Sequence, residues 1–365
     1  MVTPHLPPHQ AANALLPRLL GDGLRARGHA VRFLTFGRGP DSEEVTFVRR
    51  RSRRLRATRV PQALEAAEVW LKGAPLTRWA NLVHVHSNTW MNQVAAAQAF
   101  RQQRPYVLTH YGTEVWHHDG RDPVFRRLNA RARHVAFYSE ALLRRARELA
   151  LPLPAASVVY PPVADVFRPP AAARREELRR VHAPRGGPLL LNVKRLHPLA
   201  DQATLLRAFR LLLDARPDAR LLIAGTGEAE DALRALAAEL RLDAASVAFL
   251  GLVPNEQVAE LVGAADVFAL SSVLEATPTV ALEALACGTP VVSTDNPGGI
   301  ELGALFGDDV RVVPMRDPAA LAAALGEALA APRRTAPATA SLLAERFRLD
   351  GVVEQYLALY REAAA

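Results

Sequence analysis

A single cysteine, Cys287, cannot close a disulfide within the chain, which excludes a disulfide framework and fits a reducing cytoplasm. It sits in LACGTP among small and apolar residues, where packing is its expected use. Lysine is nearly missing: Lys72 and Lys194 are the only two among 45 basic residues, and arginine makes up the rest. No run of about 18 apolar residues is free of charges or breakers, so no transmembrane helix is expected. The opening residues, MVTPHLPPHQ, have neither the basic start nor the apolar core of a secretory signal. No G-x-G-x-x-G stands between a first strand and a helix, which argues against a dinucleotide-dependent dehydrogenase. The lone GTG at 225–227 is too weak to argue from. No D-x-D pattern offers a metal site.

What is present suits a globular α/β protein. The chain has 365 residues, 50% hydrophobic and 22% charged, enough for two domains each with its own core. The formal charge is +8. Seven arginines crowd into RRRSRRLRATR, from Arg49 to Arg59. An anionic membrane surface, an acidic acceptor, nucleic acid or a solvated face would each suit that run. Nucleic acid ranks last and is not expected as a partner, because no recognition motif or aromatic platform accompanies the arginines.

Short β-rich apolar runs alternate with longer helical patterns, the mark of parallel α/β layers. Strands are expected at AVRFLTF, NLVHVHS, YVLTHY and HVAFYS, with helices near 10–27, 92–103, 123–132 and 139–150. The second half repeats the style with LLLNVKR, ARLLIAG, VAFLG, VFALSS, PVVSTD and VRVVP. Prolines in residues 160–188 resist regular structure, so a domain boundary is expected near 168. The reading is 1–168 for one domain, 169–340 for the second, and 341–365 for terminal helices packing back on the first.

LEATPTVALEALACGTPVV, residues 274–292, is apolar except for Glu275 and Glu283. A carboxylate removed from water needs a partner. DVFALSS is a strand, VLEAT the loop at its carboxyl end, and Thr277 caps a helix that begins at Pro278 and stops at Gly288. Ligands of open α/β sheets bind beyond the carboxyl ends of strands, and helix N-termini there favour phosphate. The amides of Thr279 and Val280 suit a phosphate or a hydroxyl. The two carboxylates suit neutral sugar hydroxyls, or else a helix N-terminal charge and an internal salt bridge.

SSVLEATPTVALEALACGTPVVSTDNPGGIEL resembles the E-x7-E signature of the retaining, GT-B-fold glycosyltransferases of family 4, the glycosyl transferases group 1. PHLPPHQAANALLPRLLGDGLRARGHAV, VVYPPVADVFRP and the run from RLLIAGTGEAE to VFALSS are also similar to that family. The resemblance implies a GT-B architecture of two Rossmann-like α/β/α domains facing a central cleft. It implies that Glu275 contacts the transferred sugar and Glu283 holds the nucleotide ribose. In the family G-R-L-x-x-x-K-G grips the donor diphosphate. Here NVKRLHPLADQ matches at Arg195, but Ala200 stands at the lysine position, and Lys194 compensates only if it points to the same side. The family's glycine pair in its first loop is replaced by Gln10-Ala11-Ala12-Asn13. The first strand, MVTP, is abbreviated, as a start site set too late would leave it. VLTHYGTEVW resembles the family's T-x-H-G segment with the histidine one residue early. His110 is therefore the expected contact to the transferred sugar or acceptor, with Glu114 nearby to orient the acceptor. His84 and His86 share one face of a strand, where structure or cleft lining outweighs metal binding.

The resemblance implies a bacterial enzyme that moves a hexose-type sugar from a nucleotide-sugar donor to a glycan, lipid-linked or small-molecule acceptor. The departing diphosphate would assist proton removal from the acceptor, and neither metal nor other cofactor would be needed. The expected place is the cytoplasm, at or near the inner face of the cell membrane. A non-catalytic sugar-nucleotide-binding relative and a GT-B-fold epimerase are the rival readings.

Overall fold

The computed structural model describes residues 1–7, 12–49 and 60–365. Gln10, Ala11 and all of the arginine run except Arg49 lie outside the described residues. The chain divides into two compact units, Met1–Pro162 with Leu349–Ala365, and Val163–Arg348. The divisions fall at 162 and 348 rather than at 168 and 340.

In the first unit α1 (Ala12–Arg25), β1 (Phe33–Phe36), β2 (Val45–Val48), α2 (Val60–Trp79), β3 (Val83–His86), α3 (Trp90–Arg101) and β4 (Tyr106–His110) follow one another. Then come α4 (Thr113–Trp116), α5 (Pro123–Arg131), β5 (His134–Phe137), α6 (Glu140–Glu148) and β6 (Ala156–Val158). Every strand pairing is parallel, in the order β3-β4-β5-β6 beside the pair β1-β2. Val2 bridges Leu34 on one side and Val85 on the other, so the short MVT segment joins the two groups. Strands buried on both faces read as continuous apolar runs, which is why they are visible in the sequence. β2, α2 and β6 lack so clear a pattern and are additions of the structure.

The second unit holds α7 (Ala172–His182), β7 (Leu189–Val193), α8 (Gln202–Ala215), β8 (Arg220–Ala224), α9 (Glu230–Glu239) and β9 (Val247–Gly251). It continues with α10 (Asn255–Ala264), β10 (Val267–Leu270), α11 (Thr279–Ala286), β11 (Val291–Thr294), α12 (Pro297–Phe306), β12 (Val310–Val313), α13 (Pro318–Ala330) and α14 (Pro337–Arg346). Its sheet is parallel, ordered β12-β11-β10-β7-β8-β9, over a core that includes Leu190, Phe209, Ile223, Val267 and Leu325. Helix α7 shows that the proline-bearing stretch does not exclude regular structure. Its helical residues AARREELRRVH contain no proline.

Only the last helix, α15 (Leu349–Ala364), returns to the first unit; α14 stays in the second. α15 packs Val353, Tyr356 and Leu357 with Leu20 and Leu24 of α1. The two helices come close at Gly23, where an added Cβ would lie 2.6 Å from Val353 Cγ2. Gly23→Leu should therefore push α15 outward and destabilise the first unit by about 1–3 kcal/mol. Hydrogen exchange should show faster α15 amides with those of α8 unchanged; unaltered α15 protection would refute this packing.

Candidate functional site

Parallel strands of the second unit deliver their carboxyl ends to one edge, and there the charged residues gather. β7 ends at Val193, so Lys194 and Arg195 follow immediately; β10 ends at Leu270, and the loop to α11 carries Glu275. Ser271 Oγ donates to the Ala200 carbonyl at 2.9 Å, and Val273 N–H donates to the Leu199 carbonyl at 2.9 Å, stitching the two loops together. Gln202 Nε2 holds the Arg195 carbonyl at 3.2 Å. Both glycines of the GTG stretch meet the same backbone. An added Cβ would lie 2.1 Å from the Lys194 carbonyl at Gly225, whose φ is +133°, and 2.2 Å from the Leu196 carbonyl at Gly227. The stretch thus sets the course of the loop that bears the two cations.

Successive side chains there diverge. Lys194 turns to Glu275, Nζ to Oε1 2.5 Å, with the carboxylate 12% exposed. Arg195 is 71% exposed and meets Glu228, Nη2 to Oε2 3.0 Å, with His197 Nε2 3.2 Å from the other oxygen of the same carboxylate. Glu228 is held below the ordinary carboxylate range, first by its own backbone amide, against desolvation, and then by Arg195 and His197. Ala200 is buried in a short 3-10 turn, so this chain has no cation at the family's lysine position.

Helix α11 starts at Thr279 with Pro278 as its N-cap, one residue later than expected, and no side chain caps it. Thr277 is therefore not the cap. The amides of Thr279 and Val280 lie in the first turn, which a helix leaves without internal acceptors. The helix ends at Cys287 and Gly288, the latter at φ +80°. Glu283, half-buried on this helix, has its pKa raised to about 7 by burial, while the Lys194 charge pulls the other way. Cys287 is buried, and burial with the Glu283 charge pushes its thiol up to about 12, which leaves it inert.

Sequence reasoning missed the support beneath Glu275. Asn296 Nδ2 donates to the Ser272 carbonyl at 3.1 Å, and Gly298 N–H donates to the Glu275 carbonyl at 3.0 Å. Cβ atoms at Gly298 or Gly299 would lie 2.9 Å from the Ala276 carbonyl or 2.0 Å from that of Thr294. The adjacent glycines in NPGG were the signal, since paired glycines mark a close backbone approach. Glu228 gave no comparable signal.

In the first unit the strand alternation decides which residue points where. His110 is fully buried on the α5 side, its Nε2 2.9 Å from Asn129 Oδ1 and its ring against Phe125 and Phe137. Glu114 Oε1 stands 3.7 Å from its Nδ1 and accepts from the Tyr111 amide at 2.7 Å. Burial raises the Glu114 pKa, but His110 and the amides outweigh it and leave the carboxyl below its usual range. The contact to a substrate sugar expected of His110 has no exposed surface to act from; Glu114 is spent on its own loop. Thr109 and Tyr111 face the other way. His84 joins Tyr360 (2.6 Å) and Thr109 (2.7 Å), and His86 joins Tyr111 (2.8 Å). Burial keeps both imidazoles well below their ordinary pKa. A cavity of about 530 Å³ opens at the other edge of this sheet, lined by Met1, Val31, Leu82 and Tyr360 among others, and holds none of the expected binding residues.

Residues 18–167 match the family model Glycosyltransferase Family 4, and residues 174–340 match Glycosyl transferases group 1. The chain belongs to the family 4 glycosyltransferases. It is 35% identical over 219 residues to the D-inositol 3-phosphate glycosyltransferase of Acidothermus cellulolyticus, across 57% of this chain and 48% of that one. Over 121 residues it is 36% identical to the GDP-mannose-dependent monoacylated alpha-(1-6)-phosphatidylinositol monomannoside mannosyltransferase of Corynebacterium glutamicum, 31% of each chain. The chain spans about half the length of the curated relatives it matches. Sucrose-phosphate synthase from Thermosynechococcus elongatus superposes with a TM-score of 0.78 at 22% identity, covering 99% of this chain and 95% of that one. Anabaena HepE, crystallised with UDP, gives 0.78 at 19%, covering 99% of both. These likenesses show the GT-B fold, with its two Rossmann-like domains, for this chain.

The Glu283 carboxyl carries a stability consequence. Its native pKa lies above the 4.5 of an ordinary glutamate, so the folded state binds more protons between about 4.5 and 7, and stability falls as pH rises through that window. Glu283→Gln should match the wild type in stability below pH 4.5 and exceed it increasingly up to about pH 7, by roughly 3 kcal/mol at most. Calorimetry of both proteins across pH would read this, and a pH-independent difference would exclude a raised native pKa.

Proposed function

We propose that this family 4 chain is a retaining, metal-independent glycosyltransferase that moves a hexose-type sugar from a nucleotide-sugar donor to an acceptor hydroxyl. The observation that carries the reading is Lys194 standing beside Glu275 on the side of Glu283, at the edge formed by the carboxyl ends of β7 and β10 and the start of α11. Glu283 accepts hydrogen bonds from ribose hydroxyls and Glu275 from the transferred sugar. The Thr279 and Val280 amides and Lys194 meet the diphosphate, joined by Arg195 once it is released from Glu228. Its charge grows as the glycosidic bond breaks, so preorganised donors of this kind lower the barrier directly. The departing phosphate oxygen takes the acceptor's proton, and the new bond forms on the face the diphosphate leaves.

The names of the relatives bring two acceptor classes to this chain, a small cyclitol phosphate and a lipid-borne sugar. UDP and UDP-glucose, held by HepE, and GDP-mannose supply the donor candidates. We place the protein in the cytoplasm, where the arginine run Arg49–Arg59 meets an anionic membrane surface carrying a lipid-linked acceptor. A sugar-nucleotide-binding relative without activity is the second reading, favoured by Ala200 alone.

A thermal-shift series with UDP-, GDP-, ADP- and dTDP-sugars tests the donor site. At ~100 times its dissociation constant the right donor should add roughly 2.7 kcal/mol. Glu283→Ala should abolish the shift, and Lys194→Ala should weaken the donor by about 10–100-fold, some 1.4–2.8 kcal/mol. No shift with any donor would refute the reading; a shift without sugar transfer to any acceptor would favour the inactive relative.

A further inference from the structure

Helix α2 carries most of its large apolar side chains outward. Its inward stripe is Glu65, Val69, Gly73 and Thr77, all buried, with Leu76 partly buried against the same core. Its outward stripe is Leu64 (48% exposed), Trp70 (36%), Leu71 (73%) and Trp79 (42%), with Ala63, Ala67 and Pro75 between them. An ordinary surface helix presents the opposite arrangement. The helix holds two acids, and neither serves the outer face. Glu65 is buried, and Glu68 lies half-buried beside Lys72 (3.6 Å) and the Arg49 amide (3.2 Å). Neighbouring α3 extends the apolar surface with Phe100, 48% exposed.

Guanidinium groups frame this surface. Arg101 lies 5.7 Å from the Trp70 ring, Arg32 4.4 Å from that of Trp79 and Arg131 4.0 Å from that of Phe100, while Arg78 is exposed on α2 itself. In sequence, the arginine run 49–59 leads directly into the helix. Large apolar side chains exposed together on one helix face mostly mark an interaction site. Tryptophan, leucine and arginine together are the composition of a helix lying in a membrane interface, with rings at headgroup level and cations against lipid phosphates. A second copy of the chain fits worse, since a twofold pairing of this face would set arginines against arginines.

We propose that the outer face of α2, with Phe100 of α3, docks on an anionic phospholipid surface. This deepens the membrane part of the proposed function and does not depend on the donor chemistry. Leu64 and Leu71 enter the acyl boundary, Trp70 and Trp79 settle at the interface, and Arg78 and Arg101 meet headgroup phosphates. The face belongs to the first unit, so docking presents that unit to an acceptor carried in the same membrane.

Vesicle flotation of the full chain tests it, using phosphatidylcholine alone and phosphatidylcholine mixed equally with phosphatidylglycerol. The wild type should float with the mixed vesicles and not with phosphatidylcholine, and should release as salt is raised. Leu64→Gln/Leu71→Gln alters two exposed positions, so its melting temperature should hold while partitioning falls at least about tenfold. Arg78→Gln/Arg101→Gln should weaken the phosphatidylglycerol preference and lower the salt needed for release. No flotation at low salt, equal flotation by the leucine variant, or a dimer in sedimentation equilibrium that the leucine variant abolishes would overturn the proposal. The donor-induced thermal shift, measured without vesicles on the same preparations, separates its failure from failure of the transfer reading.

Discussion

One ammonium serves two half-buried carboxyl groups in the second unit, and the site's other features follow from that shortage. Lys194 bonds Glu275 directly, and its field reaches Glu283 without overcoming the cost of burying a charge there. A buried ion pair is tolerated when geometry and further hydrogen bonds repay its desolvation; a second carboxylate with no cation of its own is not. The structure meets this by leaving Glu283 a proton over part of the neutral range. On the proposed reading, ribose hydroxyls would take the place of that proton, which makes this acid suited to a neutral, hydrogen-bonding ligand.

The ammonium can do this only because backbone is pressed against backbone around it. Gly225 and Gly227 let the β8–α9 turn lie on the carbonyls of Lys194 and Leu196, and Gly298 lets the start of α12 lie beneath the Glu275 loop. Any Cβ at these positions would clash with main chain, which cannot rotate away as a side chain can. The two charged loops therefore rest on rigid neighbours in a parallel sheet, and their separation is set by packing more than by their own attraction. Arg195, one residue on, lies outside this frame and pairs in solvent with Glu228 at 50% exposure, an interaction worth little in stability.

The strands and the E-x7-E spacing were legible because burial on both sheet faces writes continuous apolar runs, within which two acids are conspicuous. What the sequence left open was direction. Strand ends do not announce which of two neighbours turns inward: the family pattern favoured Arg195, whereas the loop's course turns Lys194 to Glu275 and leaves Arg195 to Glu228. The same ambiguity at β4 made His110 look available, whereas the alternation of the strand sends it beneath α5 and gives the other face to Tyr111. Glu228 was illegible for a different cause: its partners come from another loop, and no local pattern records that meeting. The short β2, the three-residue β6 and helix α2 depend on tertiary contacts more than on their own periodicity.

Helix α2 shows the limit of periodicity most plainly. Its residues repeat with helical spacing on two faces, an inner one of Glu65, Val69, Gly73 and Thr77 and an outer one of leucine and tryptophan, and burial rules taken alone would put the second face inside. The inner position instead requires small residues, because an added Cβ at Gly73 would meet Gln98 of α3 at 2.6 Å, and Gln98 is already committed to the Trp70 carbonyl. Close approach to α3 thus excludes a side chain at Gly73, and most of the large apolar side chains of the helix lie on its outer face. Water gains nothing from that exposure. A face that is apolar, framed by arginine and free of exposed acid on its own helix costs solubility wherever it remains uncovered, so its retention is better explained by what it meets than by how the domain folds.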